Sequence, residues 1–278
     1  MNAKVNTDVD TKYFFASLNR ISDLTETSFY VKSVPRKSWG TGDYVVGEVS
    51  PPVSRLCLIE LSTGRMVEVA EGDLIVGALG ARYATLETVG GWQNIGNDGR
   101  MEALTAAGLF GRSTSRSTML HPLLTMAYKG HVLRRGEKVA MGDFVPSVPW
   151  RSLDVPVVLL VGTSMSAGKT TSAKAIIRLL REDGYSVIGA KLTGAGRYRD
   201  ILAMQDAGAD HIFDFVDAGL PSTVVAEKDY RKGLRSLLSR IAAVEADVLV
   251  AEVGASPLEP YNGAVAIEEI GANVRCTV

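Results

Sequence analysis

From residue 27 to residue 148, apolar residues arrive in short runs broken by glycine, serine and aspartate, a pattern that predicts strand after strand. The runs are 27–34, 44–49, 56–61, 66–69, 74–79 and 84–89. Ser62-Thr63-Gly64-Arg65 and Glu71-Gly72-Asp73 read as hairpin turns, with glycine supplying a positive φ, and 136–143 as a further hairpin. One helix, 100–107, is predicted to interrupt the strands, with Asp98 near its start and Gly108 at its end. Turns so frequent and evenly spaced suggest a small barrel or sandwich.

The rhythm then changes. Pro146, Pro149 and Pro156 bracket Trp150–Asp154, and beyond them strand-like and helix-like stretches alternate, so a boundary is predicted near Arg151. Strands are expected at 157–161, 185–192, 211–216, 247–252 and 273–278, with helices at 169–182, 199–207, 229–244 and 264–270. Such alternation means a parallel sheet covered by helices on both faces. The expected fold is therefore α/β: a mostly β domain, 1–150, followed by a P-loop parallel-sheet domain, 151–278.

Composition narrows the class. The 278 residues are enough for two domains with their own cores, and 46% hydrophobic with 22% charged residues is ordinary for a globular chain. A net charge of −1 gives no reason to expect nucleic acid or anionic membrane as a partner. Cys57 and Cys276 make neither a disulfide framework nor a zinc site. The first eleven residues are polar, without an apolar signal region, and no run is long enough for a membrane span. The expectation is a cytoplasmic, bacterial-type enzyme that forms homo-oligomers and acts on a small molecule.

The chemistry concentrates after Leu159-Leu160-Val161, where the apolar run breaks into Gly162-Thr163-Ser164-Met165-Ser166-Ala167-Gly168-Lys169-Thr170-Thr171 and a helix-forming run follows. A strand, a tight loop and a helix opened by Gly-Lys-Thr make a phosphate cradle, because loop N–H groups and the helix N-terminus offer positive charge. In that pattern Lys169 reaches the terminal phosphates and the Thr170 hydroxyl sits on Mg²⁺. The strict pattern asks for glycine where Thr163 stands, and Gly162 lies one place earlier. Ligands on parallel sheets bind at the carboxyl ends of strands, and three further residues sit at or near such ends. Lys191 precedes the Thr193-Gly194 loop and suits an anionic substrate or polyphosphate. Asp200 opens a helix, where a capping role is equally natural. Glu252 ends a run of buried-type residues and needs a cation or strong donors, for which Mg²⁺ held by Thr170 and a nucleotide is the natural partner.

These residues together resemble dethiobiotin synthetase. The displaced glycine in Gly162-Thr163-x-x-x-x-Gly168-Lys169-Thr170 is similar to that family's phosphate loop, and Lys191 resembles its lysine at the end of the second strand. Asp200-x-Leu202-Ala203-x-Gln205 is similar to its Asp-x-Leu-Ala-x-Gln helix start, whose aspartate binds metal, and Glu252 with the glycine that follows, Gly254, resembles its strand-end Glu-Gly metal ligand. The resemblance implies Mg²⁺ at Thr170, Asp200 and Glu252, ATP as co-substrate, and an activated or phosphorylated carboxylate or amino substrate. It covers about 156–278 only. The chain looks closer to P-loop proteins that join a dethiobiotin-synthetase-like domain to a different N-terminal one, some of them linked to acylation of amino acids. In the family, further units carrying nucleobase contacts follow the strand matched here by 273–278, so ATP is preferred over GTP by resemblance alone.

Other readings compete. A nucleotide-dependent switch is one, although partitioning-type ATPases often carry a second lysine early in the loop and none stands at 163–167. A transferase holding coenzyme A phosphates on the loop is another. Asp217 and Asn262, from the 214–223 and 259–263 loops, are further substrate candidates beside Thr193 and Gly194, with plain connections as the alternative. The arginine- and hydroxyl-rich 111–118 stretch is read as a solvated loop that could grip an anion. His121 and His131 lack metal-pair spacing, and Trp39, Trp92 and Trp150 are read as core or boundary packing.

Overall fold

The computed structural model describes residues 12–52, 58–164 and 167–278. Cys57, Met165 and Ser166 therefore lie outside the described residues. The first half holds β1 (Tyr13–Phe15), β2 (Tyr30–Lys32), β3 (Tyr44–Val49), β4 (Leu58–Glu60), β5 (Met66–Glu68) and β6 (Leu74–Leu79). It continues with β7 (Ala81–Ala84), β8 (Thr88–Gly91), β9 (Arg100–Thr105), β10 (Leu109–Arg116), β11 (Thr125–Arg134) and β12 (Glu137–Lys138).

Pairings run β6–β3, β3–β11, β11–β9, β9–β10 and back from β10 to β6, so five strands close into a ring. The closure makes this half a small barrel. Alternate residues on the ring strands fill one cluster, including Val45, Ile75, Met101, Phe110 and Met126. The intervening residues, such as Tyr44, Val46, Val76 and Leu104, join a second cluster that also contains Ala195, Phe215, Val216, Ala255 and Tyr261. The two halves thus share apolar core at their junction. Gly77 is required on β6, because a Cβ there would lie 2.4 Å from the Gly108 carbonyl and 2.6 Å from the Phe110 ring.

Several expectations for this half are corrected. The stretch 100–107 is a strand, not a helix: Met101 and Ala103 enter the barrel cluster between β11 and β10, and tertiary pairing overrides their helix preference. The 84–89 run is not one strand but the turn region joining β7 to β8. Glu71-Gly72-Asp73 is a turn, with Gly72 at φ +86°, yet β5 and β6 do not pair across it; β5 pairs with β4. The 111–118 stretch is mostly β10, with Arg112 paired to Asp98. The later hairpin turns at Arg135-Gly136, both with positive φ, and 141–144 forms a short 3-10 turn. Trp150 is 75% exposed and packs in no core.

The second half contains β13 (Val157–Leu160), α1 (Lys169–Glu182), β14 (Val187–Thr193), α2 (Tyr198–Asp206), β15 (His211–Asp214), α3 (Glu227–Ile241), β16 (Val248–Val253), α4 (Gly263–Ile270) and β17 (Val274–Thr277). Every strand pair is parallel, in the order β15-β14-β16-β13-β17. Strand period decides which face each residue takes. Leu249, Ala251 and Val253 pack with Tyr230 and Leu234 of α3 and Val265 of α4. Val248 and Val250 pack instead with Ala173 and Ile177 of α1 and Met204 of α2. Helices therefore cover both faces, giving a mixed α/β molecule with a β-rich part and a parallel sheet. Among the described residues no helix is long and apolar enough to cross a membrane.

An ion cluster ties the halves together. Arg20 donates to Asp214 at 2.5 Å and to Asp217 at 2.7 Å, with all three side chains largely buried. Burial pushes Asp214 up to about 6, with Arg20 opposing and Asp217 reinforcing the shift. Its folded value is raised, so the native state holds the extra proton between the unfolded value, near 3.9, and about 6. Stability from this group is present at low pH and lost as pH rises through that window. The wild-type melting temperature, measured against Asp214→Asn, is expected to fall between about pH 4 and about pH 6. A difference that stays constant with pH would refute the assignment.

Candidate functional site

Lys191 and Glu252 are register partners on β14 and β16, and Leu160 pairs with Glu252 from the other side. All of them lie at the carboxyl ends of parallel strands. Both charged side chains fall on the face shared with α1 and α2, because they continue the alternation of Val187, Val248 and Val250. From α1, Thr170 Oγ1 donates to Glu252 Oε2 at 2.9 Å. From α2, Asp200 is ion-paired with Lys191. Thr170, Lys191, Asp200 and Glu252 are thus brought together from four separate elements.

Gly162 lies close to the start of α1. Gly168 caps the helix at φ +89°. A Cβ on Gly162 would lie 3.1 Å from Ala167 Cβ and 3.2 Å from the Lys169 stem, which explains why glycine stands at 162. Lys169 is 5% exposed, and its Nζ donates to the Ser164 carbonyl at 2.6 Å. Desolvation holds the Lys169 ammonium below its ordinary value, aided by Lys191 and opposed by Glu252. Lys191 goes the other way: burial lowers it, but Asp200 and Glu252 outweigh that and raise it. Thr163, Ala167, Gly168 and Thr171 are exposed.

A cavity of about 400 Å³ opens beside these groups. Thr170, Lys191, Gly194, Arg197, Asp200 and Glu252 line it from the parallel-sheet half, and Arg82, Glu87, Thr88 and His121 from the barrel half. Gly194 is the one substrate candidate that lines it. Thr193, Asp217 and Asn262 have other duties. Thr193 Oγ1 donates to the Gly254 carbonyl at 2.9 Å and ties β14 to β16. Asp217 accepts from Arg20 and from the Asp214 N–H. Asn262 donates to the Thr223 and Val225 carbonyls ahead of α4. Each is spent on internal polar groups, and none lines the cavity. His131 is buried between Tyr128 Oη, 2.5 Å away, and Asp43, 3.2 Å away, and is likewise structural.

For Mg²⁺, the chain offers two carboxylates and a hydroxyl, hard oxygen donors that suit the ion. Glu252 is 3% exposed and meets Thr170, so two of the three donors converge, while Asp200 is held by Lys191. Among the described residues no group of three or more His, Cys, Asp or Glu is placed to hold a metal. A divalent ion here would complete its shell with phosphate oxygens and water.

Sequence reasoning missed the barrel wall of the cavity and one residue outside it. Glu60 is fully buried, and its two oxygens accept from the Tyr198 and Arg199 N–H groups at 2.8 Å each. These are the opening residues of α2, the helix that carries Asp200. No local pattern around Glu60 could have signalled this. Compared with protein-family models, curated proteins and solved structures, the chain matches none.

Proposed function

We propose that the chain binds ATP with Mg²⁺ on the 162–171 loop and activates a small carboxylate or amino substrate held in the cavity. The observation that carries this reading is the meeting of Thr170, Lys191, Asp200 and Glu252 at the strand ends, beside the N-terminus of α1 and on one cavity wall. The backbone N–H groups at the start of α1 and the Lys169 ammonium would neutralise the terminal phosphates. Thr170, Asp200 and Glu252 would hold Mg²⁺, which supplies charge stabilisation on the β- and γ-phosphate oxygens.

In the carboxylate version, a substrate oxygen bonds to the γ-phosphorus while the bond from that phosphorus to the β–γ bridging oxygen breaks. ADP leaves and an acyl phosphate forms. Lys191, kept protonated by Asp200 and Glu252, orients substrate oxygens. The work is positioning and electrostatics, with no covalent enzyme intermediate.

The test is ADP formation with Mg²⁺ across small carboxylates and amines. Substrate-dependent turnover is expected, reduced by at least about 100-fold in Glu252→Gln. Slow hydrolysis indifferent to every small molecule would favour a nucleotide switch. Coenzyme A binding without competition by ATP would favour acyl transfer.

A further inference from the structure

Of the lysine and arginine side chains lining the cavity, two are already matched inside the chain: Arg82 is ion-paired with Glu87, and Lys191 with Asp200. Arg197 differs. It lines the same cavity and is exposed, and among the described residues its guanidinium has no hydrogen bond, ion pair or ring contact.

The main chain around Arg197 is held from both halves. Thr105 Oγ1 of β9 donates to the Gly196 carbonyl at 3.2 Å, and the Gly196 N–H donates to the Pro221 carbonyl at 3.0 Å. A Cβ on Gly196 would lie 2.5 Å from the Leu18 side chain and 2.9 Å from the Pro221 carbonyl, so glycine is needed there. On the other side Glu60 takes the Tyr198 N–H, and the Arg20 guanidinium lies 4.8 Å from the centre of the Tyr198 ring. Both neighbours of Arg197 are spent on joining the halves, and a fixed main chain lowers the ordering cost when the side chain between them meets a ligand.

The free guanidinium offers its N–H donors in a fork that takes a carboxylate through two parallel bonds. An acidic substrate needs such a cation, because Glu87, Asp200 and Glu252 also line the cavity and repel an anion. Phosphoryl groups have Lys169 and the start of α1 for the same purpose. We propose that Arg197 binds the carboxylate of an acidic small-molecule substrate in this cavity. This names the substrate class of the proposed reaction and rests on the cavity being its substrate site, yet the binding itself does not require ATP.

Titration calorimetry on the full chain tests it, with succinate, glutarate and glutamate as probes and succinamide as the uncharged comparison. At least one carboxylate is expected to bind with a Kd of about 1 mM or tighter, ahead of succinamide. Arg197→Gln should weaken that binding about 10- to 100-fold and leave Mg²⁺-ATP affinity unchanged. Arg197→Lys, which keeps the charge and loses the fork, should fall between the two. The melting temperature of Arg197→Gln should stay within about 2 °C of the wild type, because the guanidinium touches nothing inside the chain.

The assignment is overturned if no carboxylate binds the wild type, or if Arg197→Gln binds as the wild type does. It is overturned equally if Arg197→Gln weakens Mg²⁺-ATP as much as the carboxylate, which would put the side chain on the nucleotide. Lys169→Ala should keep the carboxylate, and its loss there would place the probe on the phosphate loop instead. A wild type that takes a carboxylate through Arg197 but binds no ATP sinks the proposed reaction and leaves Arg197 standing. Substrate-dependent ATP turnover that Arg197→Gln leaves untouched does the reverse.

Discussion

Lys169→Ala is expected to lose Mg²⁺-ATP binding and to cut turnover by about 10²–10³-fold or more, with the fold intact. The Lys169 ammonium is buried against the loop and answered by a backbone carbonyl rather than by a carboxylate. Burial and the neighbouring Lys191 depress it, with Glu252 and Glu259 opposing. Removing it takes away a desolvated charge and one hydrogen bond, so the melting temperature should move by only a few degrees, roughly what 1 kcal/mol gives a chain of this size. Calorimetric titration of Mg²⁺-ATP and a thermal melt of the same sample check both halves of this expectation. Full turnover in the variant would sink the assignment.

Glu60→Ala should have the larger effect on stability. It removes a carboxylate that accepts from two backbone N–H groups and, at 2.5 Å, from the Ser17 hydroxyl. At about 1–3 kcal/mol for each buried donor left unpaired, the loss is about 3 kcal/mol or more. The melting temperature should then fall by roughly 6–12 °C. The Tyr198 and Arg199 amides should lose hydrogen-exchange protection ahead of the rest of α2. Unchanged protection there would mean that Glu60 does not hold this helix start. Asp200 stands one residue beyond Arg199, so loosening this end should also weaken the Lys191–Asp200 pair and with it any metal affinity at the site.

The parallel-sheet half was largely legible because its elements obey local rules. Helix α1 begins and ends as its glycine, lysine-threonine opening and apolar spacing predict, with Lys169, Ala173 and Ile177 buried on one side. The central strands β13, β14 and β16 are largely apolar runs, as buried parallel strands must be, and Lys191 and Glu252 come near the ends of theirs as polar interruptions. Their convergence with Thr170 and Asp200 follows once the sheet is parallel, because such sheets gather strand ends on one side.

The barrel half was less legible, for a reason visible in β3 and β9. Strand β3 is buried on nearly every position, since one face fills the barrel and the other packs toward the second half. The alternation that normally reveals a strand is erased there. In β9, Met101, Glu102, Ala103 and Leu104 all favour helix, and only pairing with β10 and β11 holds them extended.

Residue types and spacing along the chain were enough to settle the strand–loop–helix unit at 157–182, the alternation that follows it and the polar residues that end its strands. Local preference and period act over a few residues, and those features need nothing more. The closure of the barrel through Leu109 and Ala78 and the Glu60 clamp on α2 depend on contacts between residues far apart in sequence, 138 positions for the Tyr198 N–H to Glu60 bond. Hydrogen bonding and burial at that range follow from how the two halves pack, and no local pattern records it.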